Sequence, residues 1–458
     1  MEILSAGAAR TVTGSCHHLR FDDARVLLDC GLFQGGANLE ARNREPFPFD
    51  PAELDAVCVS HGHLDHVGRL PLLIDRGYRG PIYATQATRN IAEVILRDAA
   101  RLQDEDYRRA LRKATRAGRE GEVKPPLYGE RDVDRTLERF RPVEMEDPVQ
   151  VAPGVKVRFR AAGHVLGSAF LELEDANVRV AFSGDLGNRE SALQAPAQPA
   201  WSCDVALIES TYAERNHRSR AATEAEFAEV LTSSLGRGGN VLIPTFALER
   251  SQAVLYEIRR LMERGALSET RVFLDSPMAT RMTRFYEHCE NEFRDEVKAV
   301  LAEGRDPFAP PTLEFTVDTD ASKAINEIAG GAIILAGSGM MTGGRILHHL
   351  KHNLWREDAS VIVVGYQASG TLGRALVGGA KRVHIYGDEI RVRARIHTIN
   401  GFSAHGDHDD LLRWLRGTGD AEVFLVHGES DVMDAFSADL RERGRHVTIP
   451  EPGQTYRR

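Results

Sequence analysis

His61-Gly62-His63-Leu64-Asp65-His66 places three imidazoles and one carboxylate within a single short stretch. Neutral imidazole and carboxylate are ordinary ligands of zinc and other first-row metals. The preceding residues, Asp55-Ala56-Val57-Cys58-Val59-Ser60, read as a buried strand with Val57 and Val59 on one face. The following residues, 67–74, read as a helix with Pro71 in its first turn, where a missing N–H costs little. The stretch is therefore expected in a loop between a strand end and a helix start. In an extended loop His61 and His63 point the same way, because side chains two apart share a face. Asp65 and His66, at the turn into the helix, point elsewhere. That division suits two neighbouring metals better than one. A lone loop histidine is ordinarily polar surface, whereas three with an aspartate at this spacing point to metal chemistry.

Other residues of ligand type stand at expected strand ends. Residues 1–35 read as a short β-meander whose last strand, Arg25-Val26-Leu27-Leu28, runs into Asp29. Val155-Lys156-Val157-Arg158-Phe159-Arg160 alternates as a half-buried strand and leads to Gly163-His164. Val178-Arg179-Val180-Ala181-Phe182-Ser183 leads to Gly184-Asp185, and Val205-Ala206-Leu207-Ile208 to Glu209-Ser210-Thr211-Tyr212. Near the end, Ser403-Ala404-His405 forms a small-residue turn, and the apolar run Val423-Phe424-Leu425-Val426 ends at His427.

Between these last groups the pattern changes. Strand-like runs at 240–244, 272–274, 332–335 and 360–364 alternate with helix-like segments, one of them at 247–263. Such alternation predicts a doubly wound parallel sheet inserted into the first domain. Two of its strands run into loops rich in serine, glycine and arginine. One carries Ser338, Gly339 and Arg345, the other Ser369, Gly370, Thr371 and Arg374. Backbone N–H groups at strand C-termini and helix starts suit an anion. Neither loop is a P-loop or a dinucleotide fingerprint. As a pair they suggest a cradle for phosphates, with Arg345 and Arg374 as contacts.

At 458 residues the chain exceeds one ordinary hydrophobic core, so two domains are expected. The 42% hydrophobic and 27% charged content is that of a globular protein. A formal charge of −9 argues against nucleic-acid binding by bulk electrostatics and leaves room for a local basic groove. Residues 86–118 supply a candidate, a helical run in which Arg101, Arg108, Arg109, Arg112, Lys113 and Arg116 outnumber Asp104, Glu105 and Asp106. Such a run is either a solvated helix face or a backbone-tracking surface. The five cysteines form no C-x-x-C pair, so a reducing compartment is expected. The N-terminus has no basic-then-apolar signal, and no apolar run approaches the roughly 18 residues of a membrane span.

His61, His63, Asp65 and His66 match the H-x-H-x-D-H signature of the metallo-β-lactamase superfamily, and His164 and Asp185 match its next two metal motifs. Glu209-Ser210-Thr211-Tyr212, Ser403-Ala404-His405 and Val426-His427-Gly428 resemble the three extra motifs of its β-CASP branch. Within that branch the chain looks most like bacterial and archaeal relatives of the cleavage and polyadenylation endonuclease subunit. The resemblance implies an αββα sandwich in two parts, 1–210 and 394–458, with a β-CASP domain at 211–393 inserted between them. It implies two zinc ions, with manganese as the alternative. His61, His63 and His164 would hold one, Asp65, His66 and His427 the other, and Asp185 both. Asp29 would orient the site from behind. The activity implied is a cytoplasmic ribonuclease of single-stranded RNA, in which a hydroxide between the metals attacks phosphorus. His405, oriented by Glu209, would protonate the leaving 3′ oxygen, giving 5′-phosphate and 3′-hydroxyl products. Asp65 would serve catalysis as well as the metal. A histidine at the position of His427 marks the RNA-acting members, and relatives often form homodimers. The alternatives are a DNA nuclease of the same branch, a small-molecule metallohydrolase and an inactive RNA-binding subunit.

Overall fold

The computed structural model describes residues 1–286, 289, 292–368 and 370–458. The chain divides into two compact units. The first comprises residues 1–189, 196–216 and 405–458, the second 190–195 and 217–404.

The first unit is built on two seven-stranded sheets. One has the order Thr455–Arg457, Glu2–Gly7, Cys16–Arg20, Arg25–Leu28, Ala56–Cys58, Ile82–Thr85, Phe140–Val143. The other has the order Val447–Thr448, Glu422–Val426, Val205–Glu209, Arg179–Phe182, Ala169–Glu174, Val155–Ala161, Val149–Ala152. Alternate side chains of each sheet meet in one shared core, where Val26, Leu28 and Cys58 pack with Phe159, Leu171, Phe182 and Leu207. The intervening residues face outward into helical layers. Leu27, Val57 and Val59 pack under the helices Leu70–Asp75 and Glu130–Leu137. Ala206, Ile208 and Leu425 pack under His408–Leu415 and Ser430–Glu442. Central strands covered on both faces read as continuous apolar runs, and the result is the αββα sandwich.

Strand direction gathers the polar strand ends. Arg179–Phe182, Val205–Glu209 and Glu422–Val426 are mutually parallel, with Glu209 in register with Val426. Val155–Ala161 pairs antiparallel with Ala169–Glu174, which pairs antiparallel with Arg179–Phe182, so it runs the same way. Asp185, Glu209, His427 and His164 therefore leave the sheet at one edge. In the other sheet the parallel pair Arg25–Leu28 and Ala56–Cys58 delivers Asp29 and His61 together.

The second unit holds a six-stranded, all-parallel sheet ordered Leu313–Phe315, Arg271–Asp275, Ala332–Ala336, Val241–Pro244, Ser360–Val363, Arg395–Thr398. Val241 and Ile243 pack under Arg220–Leu235 and Arg250–Glu263 on one face. Leu242, Val361 and Val363 pack under Ile346–Asn353 and Leu372–Val377 on the other. Helices on both faces make the sheet doubly wound.

Two expected helices differ in detail. The helix at 67–74 is two short ones, Leu64–Val67 and Leu70–Asp75. The break falls at Gly68-Arg69, where the Arg69 amide bonds to the Cys30 carbonyl rather than along a helix. The helix at 247–263 starts only at Arg250, because Glu249 takes a left-handed turn with φ of 63°. The basic run is one long helix, Gln86–Thr115.

Candidate metal centre

Asp29 organises the loop that carries the first four ligand-type residues. Its φ of 58° turns the chain after Leu28 and aims a fully buried carboxylate at the loop. Oδ1 accepts from the Ser60 amide at 2.7 Å. Oδ2 accepts from Ser60 Oγ at 2.9 Å, Ser15 Oγ at 3.0 Å and His66 Nδ1 at 2.7 Å. With its proton held on Nδ1, His66 turns Nε2 toward the other ligand-type residues. Ser60 Oγ also lies 3.1 Å from His61 Nδ1, leaving His61 Nε2 to face Asp185 Oδ2 at 3.5 Å. Gly62 between the two histidines has no room for a side chain, since a Cβ there would stand 2.5 Å from Ile91. Gly31 lies so close to the Asp65 carbonyl that a Cβ would overlap it.

The donors fall into two groups. His61, His63, His164 and Asp185 form one, and Asp65, His66 and His427 the other, each with donor atoms within 4.8 Å of one another. Asp185 also joins Glu209 and His427 in a third grouping, and its Oδ1 lies 3.4 Å from His66 Nε2 and 3.7 Å from His427 Nδ1. Imidazole nitrogens face each other at close range, with His61 Nε2 3.0 Å from His63 Nδ1 and His66 Nε2 3.3 Å from His427 Nε2. His164 Nε2 is 3.3 Å from His63 Nδ1. Neutral imidazoles meeting in this way converge lone pairs, and a cation among them satisfies those pairs together. The donor set thus fits a divalent transition metal. Burial pushes the His61 imidazole well below its ordinary value and His63 down to about 4, which favours for both the neutral form a metal requires. Burial opposes charge on His66 too, but the Asp185 and Asp29 carboxylates outweigh it and raise that ring well above the ordinary value.

His405 stands beside this set. Its Nδ1 lies 3.2 Å and 3.4 Å from the two oxygens of Glu209, a carboxylate with no exposed surface. Glu209 Oε1 also accepts from the Leu186 amide at 2.6 Å, which ties it to the Asp185 loop. The His405 ring sits 4.5 Å from that of His164, and its backbone bridges to Gly187. Burial opposes charge on His405, yet Glu209, Asp185 and Asp65 together raise it to about 9. The first unit therefore presents a convergent set of metal-ligand-type side chains with a buried imidazole–carboxylate contact at its side.

Residues 10–210 match the family model of the metallo-β-lactamase superfamily, 251–376 that of the Beta-Casp domain, and 389–450 that of the Zn-dependent metallo-hydrolase RNA specificity domain. The chain is 44% identical over 455 residues to Ribonuclease TTHA0252 of Thermus thermophilus, covering 99% of both chains. The chain belongs to the β-CASP branch of the metallo-β-lactamase superfamily. It is also 31% identical over 450 residues to transcription termination factor FttA of Methanocaldococcus jannaschii, covering 95% of this chain and 68% of that protein. A protein of unknown function from Enterococcus faecalis shares the fold, with a TM-score of 0.57, 13% identity and 99% of each chain covered. This β-CASP protein is a metal-dependent hydrolase. Among its described residues, no helix is long and apolar enough to cross a membrane.

The loops of the β-CASP sheet differ from one another. Arg345 is not presented to an anion in the way the sequence suggests. Its Nη1 donates to Asp275 at 2.7 Å and to the Thr316 carbonyl at 3.0 Å, and its Nη2 to the Val317 carbonyl at 2.8 Å. Asp275 is fully buried and also accepts from His349 and Ser322, so Arg345 clamps the loop to the sheet. Ser338 Oγ lies 3.3 Å from Thr342 Oγ1, and Gly339 is pressed against the ring of Phe246, where a Cβ would come within 2.6 Å. In the other loop Ser369 lies outside the described residues, Gly370 and Arg374 are exposed, and Thr371 caps the next helix by accepting from the Arg374 amide.

Sequence reasoning missed the hydroxyls that hold the histidines. Ser60 and Ser15 bond to Asp29, Ser168 Oγ accepts from the His164 amide at 3.1 Å, and Thr211 Oγ1 lies 3.1 Å from His427 Nδ1. Ser60 adjoins one recognised motif and Thr211 lies inside another, and that position is the only signal either carries in the sequence.

Proposed function

We propose that this enzyme is a zinc-dependent ribonuclease that hydrolyses phosphodiester bonds of single-stranded RNA, leaving a 5′-phosphate and a 3′-hydroxyl. The observation that carries the reading is the pairing of two donor groups joined through Asp185 with an imidazole backed by a buried carboxylate. His61, His63 and His164 would hold one ion and Asp65, His66 and His427 another, with Asp185 within reach of both groups; metal bound there would supply Lewis acidity to lower the pKa of water toward neutral and offset phosphoryl charge. Five of these seven donors are imidazoles, which favours zinc over the alternative, manganese.

The protein's own groups do the rest. Asp65, whose side chain is 19% exposed, is assigned to accept a hydrogen bond from the attacking water and fix its direction. His405 enters the cycle protonated and gives its Nε2 proton to the departing 3′ oxygen. Glu209 holds Nδ1–H, sets the ring's orientation and offsets its positive charge. In the β-CASP unit Ser338, Gly339, Gly370, Thr371 and Arg374 are assigned to the RNA backbone, with Arg345 as the brace of the first loop. The RNA assignment draws on His427 in the third extra motif and on the relative named a ribonuclease. Five free thiols, four of them buried, suit a reducing cytoplasm. A homodimer, implied by the family resemblance, is checked by light scattering.

The test is cleavage of an end-labelled single-stranded RNA beside the same sequence as DNA, by wild type and by His63→Ala, with metal content measured on each. The reading expects RNA to be cut by the zinc-loaded wild type alone, with 5′-phosphate ends. A zinc-replete wild type that leaves RNA intact overturns it.

A further inference from the structure

The long helix Gln86–Thr115 has two unlike halves. As far as Ala100 it packs into the sandwich, with Ile91 against the glycine of the histidine loop. Beyond Ala100 none of its residues is buried. The chain then turns back along this free half. The Arg119 amide bonds to the Ala114 carbonyl, and the Leu127 amide to Gln103 Oε1 at 2.9 Å. Between helix and returning strap lies a groove of about 650 Å³, within the ordinary range for a ligand site.

The groove combines small apolar side chains and one tyrosine with a charged margin. One helical face, spaced three and four apart, supplies Tyr107, Ala110 and Ala114, Ala117 follows just past the helix end, and Pro125 and Pro126 line the returning strap. Its margin carries Arg44, Lys113, Arg119 and Lys124 against Asp106 and Glu122. Arg119 pairs weakly with Glu122 at 3.8 Å, whereas Lys113 and Lys124 have no carboxylate partner among the described residues. A cationic margin is unusual on a chain of net charge −9. Alanine, proline and tyrosine offer a surface for bases and sugars, and unpaired ammonium groups offer counter-charge to phosphates.

We propose that this groove is an accessory site for the backbone of the RNA substrate, away from the scissile bond. The proposal rests on the ribonuclease reading and adds to it a grip on chain length. From Ile91 to Tyr107 is sixteen residues, or about 24 Å of helix. A stacked strand rises about 3.4 Å per nucleotide, so the groove engages RNA extending roughly seven nucleotides or more from the metal centre.

The experiment compares wild type with the double variant Lys113→Glu/Lys124→Glu on single-stranded RNAs of 5 and 30 nucleotides, across a salt series. Both substituted positions are exposed. The expected result is a KM for the 30-mer raised on the order of tenfold at low salt with kcat unchanged, and a salt slope shallower by about 1.4 for two lost contacts. The 5-mer is expected to keep both constants. An unchanged 30-mer KM overturns the proposal, as does equal damage on both substrates. A shift in oligomeric state without a change in RNA affinity assigns the groove to a protein interface instead. If wild type cuts neither RNA, the ribonuclease reading fails by itself. The groove is then judged by anisotropy of a labelled 30-mer, whose binding must still weaken in the variant.

Discussion

Replacing Asp29 by Asn is expected to weaken metal binding although no ligand is touched. Asp29 serves four donors with two oxygens, the Ser60 amide on Oδ1 and three groups on Oδ2, of which His66 Nδ1 is closest at 2.7 Å. An amide has one oxygen. If it stays on the Ser60 amide, the new NH₂ meets the His66 N–H donor to donor. If it flips, the clash moves to Ser60. The relaxed answer is for His66 to accept on Nδ1 and carry its proton on Nε2, the nitrogen that faces Asp185 and His427. That tautomer cannot ligate. Loss of such an orienting carboxylate typically costs about 10–100-fold in metal affinity, or about 1.4–2.7 kcal/mol. The backbone is a built-in control, because Asn tolerates the left-handed φ that Asp29 adopts. The assay is zinc titration against a competing chelator, with thermal melting to confirm folding. A folded Asp29→Asn protein that binds zinc within twofold of wild type would refute the argument that Asp29 fixes the His66 tautomer.

His405→Ala is expected to lower kcat by about 10²–10⁴-fold, the usual share of a general acid, while metal content measured by elemental analysis stays the same. Turnover within a few-fold of wild type removes His405 from proton transfer. Chelation is expected to abolish hydrolysis and lower the melting temperature, since the facing imidazoles lose their shared cation; added zinc should restore both, and activity surviving exhaustive chelation would contradict metal dependence. Glu249 gives a pH effect of its own. Burial pushes its carboxyl up to about 7 from an ordinary 4.5, against the hydrogen bonds from Tyr286 and Gln194. The folded chain thus holds this proton where the unfolded chain has released it, so the stabilisation is complete below about pH 4.5 and fades as pH rises through 7. Relative to Glu249→Gln, wild type should lose up to about 3 kcal/mol of unfolding free energy between pH 5 and 8 in denaturant titrations; parallel curves for the two proteins would contradict it.

Much of the fold is written in local pattern. The run from Asp55 to Ser60 has only one way to bury both faces, as a central strand. The alternation of apolar runs with helical segments after Asn240 likewise admits little but a parallel sheet. These features depend on backbone period, which a few neighbouring residues set by themselves. The same holds for His61, His63, Asp65 and His66, which cluster whatever the rest of the chain does. His164, Asp185 and His427 were legible because each ends a strand.

Their convergence was not legible in that way. His66 and His427 are separated by 361 positions, and only the parallel register of two sheets brings their rings together. Nor could local pattern give the roles of Ser15, Ser60 and Thr211, because a hydroxyl's function is decided by whichever group arrives through space. Arg345 makes the point from the other side. In sequence it looks like a phosphate contact, but Asp275, 70 positions earlier, meets it in the folded chain and occupies its guanidinium. Covalent neighbours determine which elements form and where ligand-type side chains stand along them. Which of those side chains become partners is settled by tertiary packing, because hydrogen bonds and charge act over a few ångströms of space, however far apart the residues lie in the chain.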